Sequence, residues 1–208
     1  MGISEREEFT VDSGRLKKQF SFIEEIDKEK FIGRQTYLTG GERKENDAEH
    51  AWHMAIMAIL LSEYAGEDID LLKTVTMILI HDVVEIDAGD TYAYDEAGKA
   101  TQAEREKAAA DRIFSLLPED QGAKMRALWD EFEERRTPEA VFARTMDNLQ
   151  PLMLNALTKG KSWEENGVHV SQVLKRNEIT AKGSPELWQY ARENFIEPSL
   201  KSGRLKER

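Results

Sequence analysis

Signals for starting and stopping helices recur along almost the whole chain, and they constrain the fold more than any other feature. "ENDAEHAWHMAIMAILLSEYAG" opens with Asn46 as a capping residue and Glu49 three positions on, and it closes on Gly66. In "TPEA" and "SPEL", Thr137-Pro138 and Ser184-Pro185 place a proline directly after a capping side chain, as helix N-termini favour. A first helix is expected from about Gly14 to Phe31, with Leu16, Phe20, Ile23 and Phe31 as its apolar positions. A third follows Asp70 and ends near Glu85. Others are expected over about 101–117, 119–134, 137–158, 169–180 and 184–196, with a loop at about 86–100. No segment alternates with period two. The expectation is an all-α fold built as one domain over residues 1–208, with neither repeat nor linker.

Charge and composition narrow what such a bundle can do. A formal charge of −11 repels nucleic-acid backbones and anionic membranes, so a polyanion is not the expected partner. The chain has no cysteine, which excludes disulfides, thiolate metal sites and a cysteine nucleophile. The longest apolar run, Met54 to Leu61, falls far short of the roughly 20 residues of a membrane span. The N-terminal "MGISEREEFTVDS" is unlike a secretory signal, and Arg6 stands where a myristoylation motif needs Ser or Thr. These features point to a cytoplasmic protein without a membrane partner.

Polar residues on apolar helical faces are the informative exceptions. His50 shares a stripe with Met54, Met57 and Leu61; Asp82 continues Leu71, Val75 and Ile78, with His81 beside it; Asp147 lies with Ala140, Ala143, Pro151 and Leu154. Buried carboxylates are costly unless a cation or several donors compensate them. Two imidazoles and two carboxylates from three helices can share one divalent cation. Such ligation suits manganese, cobalt, nickel, iron or zinc, and magnesium less well. Taken singly, each residue reads more readily as a hydrogen-bonded core group than as a ligand, and it is their joint placement that points to a metal. Glu85, three residues after Asp82 and four after His81, projects toward the same place and is the candidate to accept a proton or align a nucleophile. Asp90 follows Gly89 in the loop and reads alone as either a turn residue or a catalytic acid.

The pattern of His50 in "AEHAWH", His81-Asp82 in "LIHDVVEIDAGD" and Asp147 in "FARTMDNLQP" resembles the HD superfamily of metal-dependent phosphohydrolases. The flanking "LLPED", "LWDEFE" and "EAVFARTMD" are similar to the branch of bacterial and eukaryotic 5'-deoxynucleotidases, over roughly Lys30 to Leu157. That resemblance implies an HD-type helical bundle with His50, His81, Asp82 and Asp147 as metal ligands and Glu85 and Asp90 as the acidic pair. It also implies a small nucleotide substrate and a homodimer. Arg34 is similar to an arginine that contacts the substrate phosphate; Gln35 and Thr36 follow it where deoxynucleotide-selective members carry Trp-Pro, which leaves the sugar open.

The expected activity is release of phosphate from a nucleoside or deoxynucleoside 5'-monophosphate by metal-activated water. The alternatives are an HD hydrolase of another phosphorylated metabolite and a catalytically silent nucleotide sensor. A di-iron oxygenase would need further histidine ligands, and only His53 and His169 remain. His53 reads as core with Ile56 and Leu60, His169 as a helix-start residue, and Arg43 and Lys44 as bases at the mouth or on the surface. Tyr92 and Tyr94, in the long loop, are candidates to stack on a base.

Overall fold

The computed structural model describes residues 12–207; the N-terminal stretch with Arg6 lies outside them. Asp12 caps α1 (Ser13–Ile26), accepting from the backbone N–H groups of Gly14 and Arg15. A 3-10 segment, Asp27–Phe31, follows in place of the last turns of the expected longer helix. The apolar positions expected to define α1 face outward: Leu16, Phe20 and Ile23 are exposed and Phe31 is 81% exposed. Phe22 is the buried one, stacked on Phe114.

The sequence reading missed a hairpin. Strands β1 (Gly33–Tyr37) and β2 (Lys44–Asn46) pair antiparallel, with Gly33 opposite Asn46 and Tyr37 opposite Lys44. Their side chains are almost all polar, so no alternation marks them; the pairing rests on backbone bonds and on the turn at Gly41, where φ is +70°. The hairpin delivers the chain to α2 (Asp47–Leu61), whose capping box between Asn46 and Glu49 forms as expected.

Asp70 caps α3 (Leu71–Ile80), which stops before the histidine. The expected continuation to Glu85 is broken, and the hydrogen bonds show why. The His81 carbonyl, which a helix would offer to the Glu85 N–H, accepts from the Trp129 indole at 3.1 Å. The Glu85 N–H turns to the Asp82 carbonyl instead, at 2.9 Å. The chain resumes as the short α4 (Glu85–Ala88), closed by Gly89 at φ +74°. The loop after it is shorter than expected, because Asp95 caps α5 (Glu96–Phe114) early.

Helices α6 (Glu119–Glu134) and α7 (Pro138–Leu157) keep close to the expected bounds, with Thr137 capping α7 ahead of Pro138. Beyond them come α8 (Lys161–Glu165), α9 (Val170–Arg176), α10 (Glu178–Gly183), α11 (Pro185–Ala191), a π turn at Arg192–Ile196 and α12 (Glu197–Lys201).

Helix α7 is the axis of the bundle, with α2, α3, α6 and α10 packed around it. Met54, Met77, Ile78, Phe132, Phe142 and Met146 fill one core against it. A second core, around Val83, Ile113, Phe114 and Trp129, lies between the α3–α4 turn and α5–α6. Burying such side chains supplies roughly 1.5–3 kcal/mol each. Yet α7 also buries Thr145, Asp147, Asn148, Gln150 and Asn155, and polar groups on the most enclosed helix require specific partners. Among the described residues no helix is long and apolar enough to cross a membrane.

Candidate metal centre

His50, on α2, and His81 and Asp82, in the turn after α3, each offer a ligand atom within 4.8 Å of the others'. Asp147 of α7 joins them: its Oδ1 is 3.2 Å from His50 Nε2 and 4.0 Å from His81 Nε2. All four side chains are buried. The four residues singled out on separate helical faces therefore meet at one point.

The second nitrogen of each ring fixes its orientation. His81 Nδ1 lies 2.7 Å from the Ile78 carbonyl, which can only accept, so Nδ1 carries a proton. His50 Nδ1 is 3.0 Å from Gln150 Oε1, and the Gln150 amide donates onward to Glu45 Oε2 at 2.7 Å. With a cation at the centre both rings would be neutral, each turning an Nε2 lone pair inward among the carboxylate oxygens. His81 Nε2 sits 3.0 Å from Asp82 Oδ2, yet it is a buried nitrogen without a hydrogen-bond partner. Lone pairs crowded this way repel unless a positive charge lies among them.

The electrostatics agree. Burial pulls the His81 imidazole down, but the Asp82 and Asp147 carboxylates outweigh it and push it up to about 9. Burial and the Arg34 charge lower His50 to about 4, leaving it neutral, as a ligand must be. Burial would raise Asp82, but His81 and Arg34 hold it below the usual carboxylate range. Burial would raise Asp147 too, but Arg176, His50 and Arg144 hold it well below the usual carboxylate range. Two nitrogens and two ionised carboxylates therefore converge, a donor set that fits a divalent cation.

Around this centre the structure gathers further charged groups. Arg34 on β1 donates to Asp82 Oδ2 at 2.7 Å and to Asp47 Oδ1 at 3.0 Å. Glu85 is buried beside Asp82 and Asp47; burial first, then those two charges, raises it well above the carboxylate range. Its Oε2 has no hydrogen-bond partner. Asp90 is raised too, by burial and by Asp82 against the opposing pull of Arg34. Arg34, His81, Asp82, Glu85, Asp90 and Asp147 all line one cavity of about 110 Å³. Its wall includes the loop residues Tyr92 and Tyr94, whose rings meet edge to face.

Several residues of this environment escaped the sequence reading. Arg144 and Arg176 donate to Asp147 Oδ2 at 2.9 and 3.4 Å. Arg144 and Gln150 each stand three residues from Asp147 on α7, a spacing that marks them in retrospect; Asp47, Glu45 and Arg176 carry no such signal. Other expectations fail. Ile56 and Leu60 are exposed, so the stripe containing His53 is not core, and His53 lies half-buried, 3.3 Å from the Gln150 amide. Of the two readings open for Arg43 and Lys44, the surface one holds: Arg43 is exposed and pairs with Glu49, Lys44 donates to Gln35 and lies over the Tyr37 ring, and neither lines the cavity. His169 immediately precedes α9, as expected.

Comparison with known proteins follows the same lines. The profile of the HD domain family matches residues 26–188. The 5'-deoxynucleotidase HDDC2 of Xenopus laevis is 30% identical over 116 residues, 56% of this chain and 56% of that protein. Its Homo sapiens counterpart is 30% identical over 112 residues, 54% of this chain and 53% of that one. The chain thus spans about half the length of these curated relatives. Among solved structures it is similar to a predicted metal-dependent phosphohydrolase from Magnetospirillum magnetotacticum MS-1, at 48% identity and a TM-score of 0.90, covering 95% of this chain and 98% of that one. A conserved hypothetical protein from Pyrococcus furiosus, at 24% identity, a TM-score of 0.60 and coverage of 88% and 99%, shares the fold.

Proposed function

The chain belongs to the HD domain family, and from that premise we propose that it is a divalent-metal-dependent phosphomonoesterase acting on nucleoside 5'-monophosphates. The observation that carries this reading is the convergence of His50, His81, Asp82 and Asp147, with His81 Nε2 buried and without a hydrogen-bond partner, beside a buried acid and an arginine. Those four side chains would hold the cation. When bound, it supplies Lewis-acid polarisation of a phosphoryl oxygen and a water of lowered pKa.

The protein groups do the rest. Arg34 turns its guanidinium from Asp82 and Asp47 to the phosphate, matching oxygen pairs with its planar fork. Glu85 takes a proton from the attacking water as the new P–O bond forms and passes it to the nucleoside oxygen as the old P–O bond breaks. The Asp82 and Asp47 charges that raise its proton affinity would be offset by a bound cation, which leaves Glu85 ionised for this task. Asp90, on the same wall, orients the water. Manganese, cobalt, nickel, iron and zinc suit this donor set better than magnesium. The intact acidic pair favours turnover over a silent sensor.

We read the chain as one domain, since the π turn and α11 pack on α7 although they lie largely beyond the family match. We also propose a homodimer through the outward faces of α2 and α3, where Trp52, Ile56, Leu60, Leu72 and Leu79 are exposed. Light scattering should report twice the chain mass, and a monomer at working concentration would remove that proposal. The function is tested by a metal-supplemented phosphate-release screen over all nucleoside monophosphates, with DNA and RNA as controls. Release is expected from mononucleotides with a transition metal present. Cleavage of polymers alone would reverse the assignment.

A further inference from the structure

The cavity at the metal centre shares wall residues, Tyr94, Arg135, Arg144 and Arg176 among them, with a second, larger chamber of about 570 Å³, and the two differ in their balance of charge. Around the inner cavity the carboxylates, Asp82, Glu85, Asp90 and Asp147 with Glu106 and Glu133, outnumber the four arginines Arg34, Arg135, Arg144 and Arg176. Around the outer chamber the described residues place Lys99, Arg135, Arg144, Lys175 and Arg176 with only Glu106 and Glu133 as acids. A cationic chamber in a protein of net charge −11 is not a consequence of average composition.

Its arginines are also under-compensated. Arg144 and Arg135 share Glu133, with nitrogens 2.7 Å and 3.5 Å from its two oxygens, and Arg144 and Arg176 share Asp147 Oδ2 at 2.9 Å and 3.4 Å, so three arginines divide two carboxylates between them. The Arg144 charge, followed by burial, lowers the pKa of Arg135, which marks a local excess of positive potential. Glu106, the other acid, is raised by burial and held by Gln102 at 2.7 Å. Arg135 further adopts a left-handed backbone, φ 55° and ψ 39°, at the end of α6, a conformation that favours glycine. An arginine kept there carries its charge into the chamber at a conformational cost.

The inner cavity has room for a phosphoryl group but not for a whole nucleotide, so the remainder of the substrate must extend into the outer chamber. A nucleoside is neutral and gives the clustered cations nothing to bind. We propose that the outer chamber, through Arg135 and Lys175 with Arg144 and Arg176 behind them, binds a second phosphate group of the substrate, distal to the one at the metal centre. The preferred ligands are then nucleotides carrying two phosphates. The inference rests on the phosphomonoesterase reading for which phosphate is cleaved, but the chamber's affinity for a second phosphate can be measured without turnover.

The chemistry has two sources, a 5'-diphosphate and a 3',5'-bisphosphate, and the experiment separates them. Calorimetric titration of metal-loaded protein would use three non-hydrolysable probes: an adenosine 5'-methylenephosphonate, the same compound with a 3'-phosphate, and α,β-methylene-ADP. The parent protein should bind one of the doubly charged probes about tenfold more tightly than the single phosphonate, the gain of one added charge-assisted contact. In the double variant Arg135→Asn, Lys175→Gln that gain should vanish, while the single phosphonate binds as before. Asparagine tolerates the left-handed backbone, so position 135 keeps its conformation.

Equal affinity of the parent for all three probes would overturn the proposal. An equal loss for every probe in the double variant would do so too, because the cations would then serve the cleaved phosphate. Failure of phosphate release from every nucleotide, with the tenfold gain still present and lost in the variant, would overturn the proposed function and leave the chamber standing.

Discussion

His81 Nε2 faces Asp82 Oδ2 across 3.0 Å with no hydrogen bond between them, while the opposite nitrogen of the same ring is committed to the Ile78 carbonyl. This is a site in want of positive charge. Purified protein is therefore expected to carry about one transition-metal ion per chain, measured by elemental mass spectrometry. His81→Ala and Asp82→Ala should each lose it, and chelation should lower the melting temperature of the parent but not of the variants. Equal metal content in parent and variants would remove the centre from the mechanism.

Glu85 lies with Asp82 and Asp47 in a second buried cluster whose oxygens are close enough to hold a cation, and the proposed mechanism assigns it to the proton instead. Glu85→Gln preserves its volume and removes its proton affinity. Metal content and melting temperature should stay near the parent's, while kcat falls by roughly 10²–10⁴-fold. Undiminished turnover would make Glu85 a structural acid. Loss of the metal would instead place it among the ligands and pass the proton to Asp90.

Arg34 has a double role that one variant can expose. In Arg34→Ala, Asp47 is left buried with its cationic partner gone, which should cost about 3 kcal/mol in denaturant unfolding. The phosphate contact disappears as well, so KM for a mononucleotide should rise in the folded fraction. A stability loss with KM unchanged would confine Arg34 to holding Asp47 and Asp82.

Trp129→Phe removes the indole donor and leaves the His81 carbonyl free to return to a helical ladder. The expected loss is roughly 0.5–1.5 kcal/mol of stability. A weaker metal affinity, of the 10- to 100-fold order seen when the groups supporting a ligand are removed, should accompany it. Isothermal titration with manganese would test this; parental affinity would mean that the turn at His81 holds itself.

What could be read from the residues and what could not divides on physical grounds. Asn46 with Glu49, and Thr137 with Pro138, announce α2 and α7 because caps act locally. His50, Asp82 and Asp147 were legible because a polar group on an apolar stripe is conspicuous without any knowledge of its neighbours. The β1–β2 hairpin was not, since its strands are polar and its pairing is backbone chemistry. The break after Ile80 was invisible for another reason: a donor 48 residues downstream makes it. Leu16, Phe20 and Ile23 misled because apolar spacing says which residues share a face but not that the face is covered.

The indole bond to the His81 carbonyl also orders events in time. A nascent chain that has reached Asp82 holds the doublet as part of an unfinished helix, without Trp129 to draw the carbonyl aside and without Asp147 to complete the donor set. Local segments therefore gain nothing from a cation, and capture must wait until α6 and α7 have docked on α3. Metal uptake during refolding should then lag behind helix formation, appearing as a late phase that reports completed tertiary assembly.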